Sequence, residues 1–251
     1  MRKITINQSM IHQGNLILVN HKNKVNEINY SKLIEVSHLY PNILLEHEAT
    51  EMLKGLMNSI DGWSDIALVS GWRSFKEQEC IYNQSIAENG LEFTQKFVAL
   101  PGCSEHQTGL AIDVGIIKPN IDFLCPEFPY EGIAQVFRKK ATAFGFIERY
   151  LKSKETITNI GCEPWHFRYV GLPHSLIINE KDIVLEEYIE FIREYQYPEK
   201  KYWFSINGIE GKISYIEIKE EKIIDVEEDV IYTISGDNQK GILLAEWQIN
   251  E

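Results

Sequence analysis

The sequence is short of positive charge: 25 Lys and Arg stand against 37 Asp and Glu, for a net charge of −12. Nucleic acids and anionic membrane surfaces are bound through clustered Lys and Arg, so this balance argues against both partners. Long apolar runs are also missing. No stretch approaches the ~18 apolar residues of a membrane span. The opening MRKITINQSMIHQGNLILVN is interrupted by polar residues where a secretory signal needs a continuous apolar segment. The expected location is therefore cytoplasmic. Cysteine is scarce as well: Cys80, Cys103, Cys125 and Cys162 form no C-x-x-C pair, which argues against a structural zinc site, and in a reducing compartment they are expected as thiols. There is no internal repeat, low-complexity tract or obvious linker.

What is present reads as alternating helix and strand. NLILVN (15–20), DIALVSGW (65–72), GLAIDVGII (109–117) and WHFRYVG (165–171) read as strands. EATEMLKGLMNSI (48–60) has helical spacing. FKEQECIYNQSIAENG follows Ser74, with Glu77 three residues on, the pattern of a capping box, and Gly90 closes it. LEFTQKFVA (91–99) is a further helical segment, and EGIAQVFRKKATAFGF (131–146) is an amphipathic helix running into a glycine turn. DIVLEEYIEFIREYQY (182–197) reads as a helix stopped by Pro198. Beyond it, period-2 and β-branched runs predict a small antiparallel sheet. The chain is therefore α+β, with a mixed domain over residues 1–198 and a β-rich appendage over 199–251.

One stretch breaks its own pattern. In GCSEHQTGLAIDVG (102–115) an apolar strand carries a carboxylate, Asp113. Strand side chains alternate, so Ile112, Val114 and Ile116 share one face, and Asp113 shares the other with Ala111 and Gly115. An inward-facing carboxylate needs an ion-pair partner or a metal. His106 lies just upstream in a turn. Downstream, CEPWHFRY places Glu163 and His166 three residues apart, with Pro164 between them to break regular pairing and let Glu163 reach the side of His166. Two histidines and one carboxylate leave an open position on zinc, the layout of a hydrolytic site, with Glu163 as the base for the bound water. Spacing alone leaves buried ion pair and metal site both open.

SEHQTGLAID and EPWH match the S-x-H-x-x-G-x-A-x-D and E-x-x-H motifs of the zinc D,D-peptidases of vancomycin resistance. SGWRSFKEQ, AFGFIERY and EPWHFRYVG resemble the same group in the same order, over roughly residues 65–195. The resemblance implies the Hedgehog/D-Ala-D-Ala peptidase fold, a central antiparallel sheet with flanking helices. It implies one catalytic Zn²⁺ on His106, Asp113 and His166, with Glu163 as general base and then proton donor and Arg73 as oxyanion stabiliser. Ser104 and Gln78 fall at positions near the substrate. Cys162 and Leu151 depart from the aromatic and the proline often found there, and neither is a ligand position.

A VanY-like core without an export signal resembles the VanXY type. That implies peptide substrates, D-Ala-D-Ala and the UDP-linked muramyl pentapeptide (UDP-MurNAc-pentapeptide), and an enzyme acting as monomer or homodimer. Two alternatives stand beside this: a same-fold zinc amidase cutting an L-Ala-D-Glu or other cell-wall peptide bond, and a non-catalytic zinc-stabilised binding module. Glu163 and Arg73 speak against the second, because binding zinc requires neither.

Overall fold

A computed structural model describes residues 1–26 and 32–249, in two units: Val19–Ser175, and Met1–Leu18 together with Leu176–Glu251. The opening strand β1 (Arg2–Ile6) belongs to the latter. The Val19–Ser175 unit starts with the hairpin β2 (Leu33–Ser37) and β3 (Tyr40–Glu46), then α1 (His47–Ser59) and β4 (Ile66–Ser70). Next come α2 (Phe75–Asn89), α3 (Leu91–Phe97), β5 (Ala111–Ile116), α4 (Gly132–Ala141), β6 (Phe146–Tyr150), α5 (Glu155–Thr158) and β7 (Glu163–Tyr169). Four strands form an antiparallel sheet in the order β4-β5-β7-β6.

The helices form where capping and spacing predict. Ser74 Oγ accepts from the Glu77 amide, Glu77 Oε2 accepts from the Ser74 amide, and Gly90 ends α2 at φ 84°. On α1, Leu53, Leu56 and Met57 are buried as one stripe. Helix α4 sets Phe137 against β7: its ring lies 4.9 Å from that of Phe167 and 5.5 Å from that of Phe128, both in edge-on contact. Between β5 and α4 no helix or strand forms, as the prolines of residues 118–132 suggest.

The other unit continues through α6 (His174–Glu180), whose first residues lie in the Val19–Ser175 unit, to α7 (Leu185–Arg193) and strands β8 (Tyr202–Ile206), β9 (Ile209–Glu217), β10 (Lys222–Val226), β11 (Ile231–Gly236) and β12 (Gly241–Ile249). Four of these strands form an antiparallel sheet in the order β11-β12-β9-β8, whereas β10 pairs with β1. Ile6, Ile11, Ile216, Ile224 and Leu244 pack into its core. The boundary drawn at residue 198 falls inside this unit, because the N-terminal strand completes a two-stranded ribbon with β10 and α7 packs on β9. Asn250 and Glu251, the end of the expected appendage, lie outside the described residues.

Two expected elements differ. Residues 15–20 form no strand: the Leu16 amide donates to Ser235 Oγ at 2.7 Å and the Leu18 amide to the Asp237 carbonyl at 3.3 Å, so Leu16 and Leu18 are buried without a ladder. The helix expected to run to Tyr197 ends at Arg193. Tyr195 and Tyr197 instead exchange backbone hydrogen bonds with Tyr215 at 2.8 and 2.9 Å, which takes the chain out of the helix before Pro198.

Phe137 is fully buried among aromatic partners. Phe137→Ala is expected to destabilise the protein by about 3–5 kcal/mol, read as a lower midpoint in urea denaturation.

Candidate metal centre

The site is assembled by sheet register. Asp113 on β5 stands opposite His166 on β7 and opposite Ser70 at the end of β4, so these side chains share one face. Two irregularities adjust the aim. The β4–β5 register shifts between Leu68 and Ser70, and the β6–β7 register shifts between Glu148 and Tyr150. The second shift spans Pro164 and turns Glu163 toward His166, with Glu163 Oε2 3.7 Å from His166 Nδ1.

His106 arrives from a 3₁₀ turn, Glu105–Thr108, closed by Gly109 at φ 76°. A Cβ on Gly109 would meet Leu33 Cδ2 at 2.6 Å, so the turn needs glycine for conformation and for space. His106 Nδ1 lies 2.8 Å from the Gly71 carbonyl, which leaves Nε2 pointing inward, 3.1 Å from Asp113 Oδ2. His166 Nδ1 lies 2.9 Å from Asp113 Oδ1. One donor atom from each of His106, Asp113 and His166 falls within 4.8 Å of the others, and all three residues are buried. Two imidazoles and a carboxylate converging this closely fit a first-row divalent metal with a fourth position left open.

Arg73 is held from three sides: its Nη2 donates to Asp113 Oδ2 at 2.8 Å, its Nε to Ser70 Oγ at 2.7 Å, and its Nη1 to Gln78 Oε1 at 3.3 Å. Gln78 is buried, and its Nε2 donates to the Ala99 carbonyl at 2.8 Å, so both ends of its amide are engaged by the protein. Ser104 is buried at the head of the 3₁₀ turn. Its side chain lines the same narrow cavity of about 40 Å³ as Arg73, Glu163, His166, Trp165 and Phe123. The seven residues expected from sequence therefore come together in one place.

The electrostatics set these groups apart. Burial would raise the Asp113 carboxyl, but His106 and the hydrogen bonds from both histidines outweigh it and hold Asp113 well below the usual carboxylate range. Burial, reinforced by Asp113 and Glu105, pushes Glu163 up to about 8. Burial and the nearby Arg73 guanidinium bring His106 down to about 4. Burial also disfavours charge on His166, but the hydrogen bond to Asp113 and the facing carboxylates of Glu105 and Glu163 win and raise it to about 9.

Three more charges surround the site that sequence reasoning passed over. Glu105, Arg149 and Arg168 are fully buried, and Glu105 Oε1 lies 2.8 Å from both Arg149 Nε and Arg168 Nη1. The signal was present: FIERY and WHFRY each place one arginine inside an apolar strand, and a buried guanidinium needs an acid.

Sheet, cluster and flanking glutamate define a hydrolase of the D-Ala-D-Ala peptidase fold, and the comparisons with known proteins agree. A VanY (D-alanyl-D-alanine carboxypeptidase) profile matches residues 42–172. The chain belongs to the VanY family of peptidases. It is 46% identical over 154 residues to the bifunctional D-Ala-D-Ala dipeptidase and carboxypeptidase VanXYC of Enterococcus gallinarum, covering 61% of this chain and 81% of that one. A crystal structure of the vancomycin resistance D,D-dipeptidase VanXYG, in complex with a D-Ala-D-Ala phosphinate analogue, superposes with a TM-score of 0.95 and 42% identity over 98% of this chain and 99% of that one. A glutamate-to-alanine variant of a VanY D,D-pentapeptidase from a VanB-type resistance cassette, in complex with Zn(II), gives a TM-score of 0.59 and 28% identity, covering 70% of this chain and 98% of that one. Among the described residues no helix is long and apolar enough to cross a membrane.

Metal uptake is coupled to protons with a definite sign. Near neutral pH His106 is already unprotonated and Asp113 ionised, whereas His166, at about 9, and Glu163, at about 8, hold protons. Metal binding at this site would take the proton from His166, and the metal's charge would draw one from Glu163. One to two protons are released near pH 7, and apparent zinc affinity rises about ten- to hundredfold per pH unit from about pH 6 to about pH 8. Zinc titration against a competing chelator, with proton release followed in weak buffer, tests this, and an affinity independent of pH contradicts it.

Proposed function

We propose that this protein is a cytoplasmic zinc-dependent D,D-peptidase. On this reading it removes D-alanine from D-Ala-D-Ala and from the D-Ala-D-Ala end of UDP-MurNAc-pentapeptide, and the activity resides in the Val19–Ser175 unit. The observation that carries the reading is the convergence of His106, Asp113 and His166 with Glu163 and Arg73 on a single cavity. The relatives add support: one is named a bifunctional dipeptidase and carboxypeptidase, another was crystallised with a dipeptide analogue, and a third with Zn(II). Loss of D-Ala-D-Ala ends removes the target of vancomycin, which is the basis of resistance in this group.

His106, through Nε2, Asp113 and His166, through Nδ1, would hold the zinc. When bound, zinc polarises the scissile carbonyl and makes a water acidic near neutral pH. Glu163 takes the proton of the attacking water and delivers it to the departing amine of the terminal D-alanine. Its carboxyl is high in the metal-free charge distribution and falls beside a dication, which brings it into the range where it accepts and returns a proton at neutral pH. Arg73, fixed by Ser70, Gln78 and Asp113, presents a permanent charge to the oxygen that becomes negative. Gln78 holds Arg73 in place, and Ser104, in the cavity wall, contacts the peptide. Trp165 and Phe123 help to exclude water around it.

Zinc-loaded protein is expected to release D-alanine from both substrates. Glu163→Ala reduces release to background, and Arg73→Ala lowers kcat by about 10² to 10³ while retaining zinc. D-alanine is followed with a D-amino-acid oxidase coupled assay. Stoichiometric zinc with no D-alanine from either substrate overturns the reading in favour of an L,D bond or a binding role.

A further inference from the structure

The geometry points to Glu105 as a positioning residue for His166: its ionised carboxylate, charge-balanced by Arg149 and Arg168, holds the imidazole with Nε2–H turned away from the metal and the Nδ1 lone pair toward it. This rests on the zinc-site reading above.

Glu105 immediately precedes His106, yet its side chain lies on the far side of the cluster, fully buried. Its two oxygens are used differently. Oε1 lies 2.8 Å from Arg149 Nε on β6 and 2.8 Å from Arg168 Nη1 on β7. Oε2 faces His166 Nε2 at 3.5 Å. Among the described residues these two buried atoms, one a potential donor and the other an acceptor, have no hydrogen-bond partner, and each is the group the other faces. A small tightening would make a charge-assisted hydrogen bond of the contact. On the opposite edge of the ring, Nδ1 already lies at Asp113. The Tyr150 ring packs 4.9 Å from the imidazole, and the Arg149 guanidinium lies 5.0 Å from the centre of that same Tyr150 ring. The arginine that balances Glu105 thus also braces the side chain packed on His166.

A buried cluster of one acid and two arginines is weak evidence of stabilisation, because an apolar replacement of similar volume is often as stable. Its orientation supplies a reason for the charge. A metal-bound imidazole is held in one tautomer by an acceptor on its other nitrogen, and here Glu105 Oε2 is turned toward that nitrogen. His106 is held in the matching way by a neutral acceptor, the Gly71 carbonyl. The two ligands thus differ, with a carboxylate behind His166 alone of the pair.

The test is Glu105→Gln, which keeps the shape and an acceptor for the arginines but removes the charge. Zinc affinity is measured by chelator competition, the visible spectrum of the cobalt-substituted protein is recorded, and thermal stability of the metal-free form is followed alongside. The expected result is zinc bound about 10- to 100-fold more weakly, with an altered cobalt spectrum. A purely structural role lowers metal-free stability but leaves the zinc affinity of the folded fraction unchanged, and that result overturns the inference. If the variant does not fold, zinc-loaded wild-type protein labelled with ¹⁵N in its histidine rings decides: a downfield, slowly exchanging Nε2 proton on His166 supports the inference, and a rapidly exchanging one overturns it. Wild-type protein that takes up no zinc removes the site reading and this inference together, whereas tight zinc binding equal in wild type and variant removes this inference alone.

Discussion

Asp113 is the residue on which the site depends. It is a carboxylate in the middle of β5, almost wholly out of water, and both its oxygens are used: Oδ2 by Arg73 and His106, Oδ1 by His166. Stripping water from an isolated carboxylate is prohibitive, and removing one partner of a buried pair costs about 3–5 kcal/mol. The surrounding chain is therefore constrained to bring three polar groups from three places to one strand position. The register of β5 with β7 supplies His166, the turn before β5 supplies His106, and the segment leaving β4 supplies Arg73.

Regular strands would not have sufficed. Glu163 and His166 are an odd number of positions apart on β7, which in an unbroken strand puts them on opposite faces. The irregular pairing opposite Tyr150 interrupts the regular strand there, and Glu163 Oε2 comes within 3.7 Å of His166 Nδ1. A similar shift at the end of β4 sets Ser70 opposite Asp113, where its hydroxyl anchors the Arg73 guanidinium. Both irregularities sit at the cavity, and the central parts of the same strands stay regular and carry the core.

Much of this was legible in the sequence because the signals were local. A capping box at Ser74, a glycine at position 90 and an apolar stripe on residues 52–60 each specify an element within a few residues, and each element formed. Asp113 was conspicuous because it violated the pattern around it. The failures were non-local. Leu16 and Leu18 read as strand residues, but whether a buried extended segment joins a ladder depends on what lies beside it, here a serine hydroxyl and a turn carbonyl. Pairing of β1 with β10, more than two hundred residues apart, leaves no trace in either segment. Glu105 escaped notice because an acid in a polar turn looks solvated, and only the fold shows that it meets two arginines inside the protein.

Glu105 and Glu163 show how one small volume gives two glutamates different properties. Both are buried close to His166, at 3.5 and 3.7 Å. Burial raises the carboxyl of each. For Glu105 the charges of Arg149 and Arg168 overwhelm that penalty and hold it far below the usual range. Glu163 has no such pair: it shares His166 and Arg73 with Asp113, whose negative charge works against it, and it rises to about 8. A carboxylate locked in its charged form is suited to holding another group still, and one balanced between its two forms is suited to moving a proton. The arginines of β6 and β7 thus divide the labour: by fixing one acid as a permanent anion on the far side of His166, they leave the acid on the open side as the group free to change its protonation.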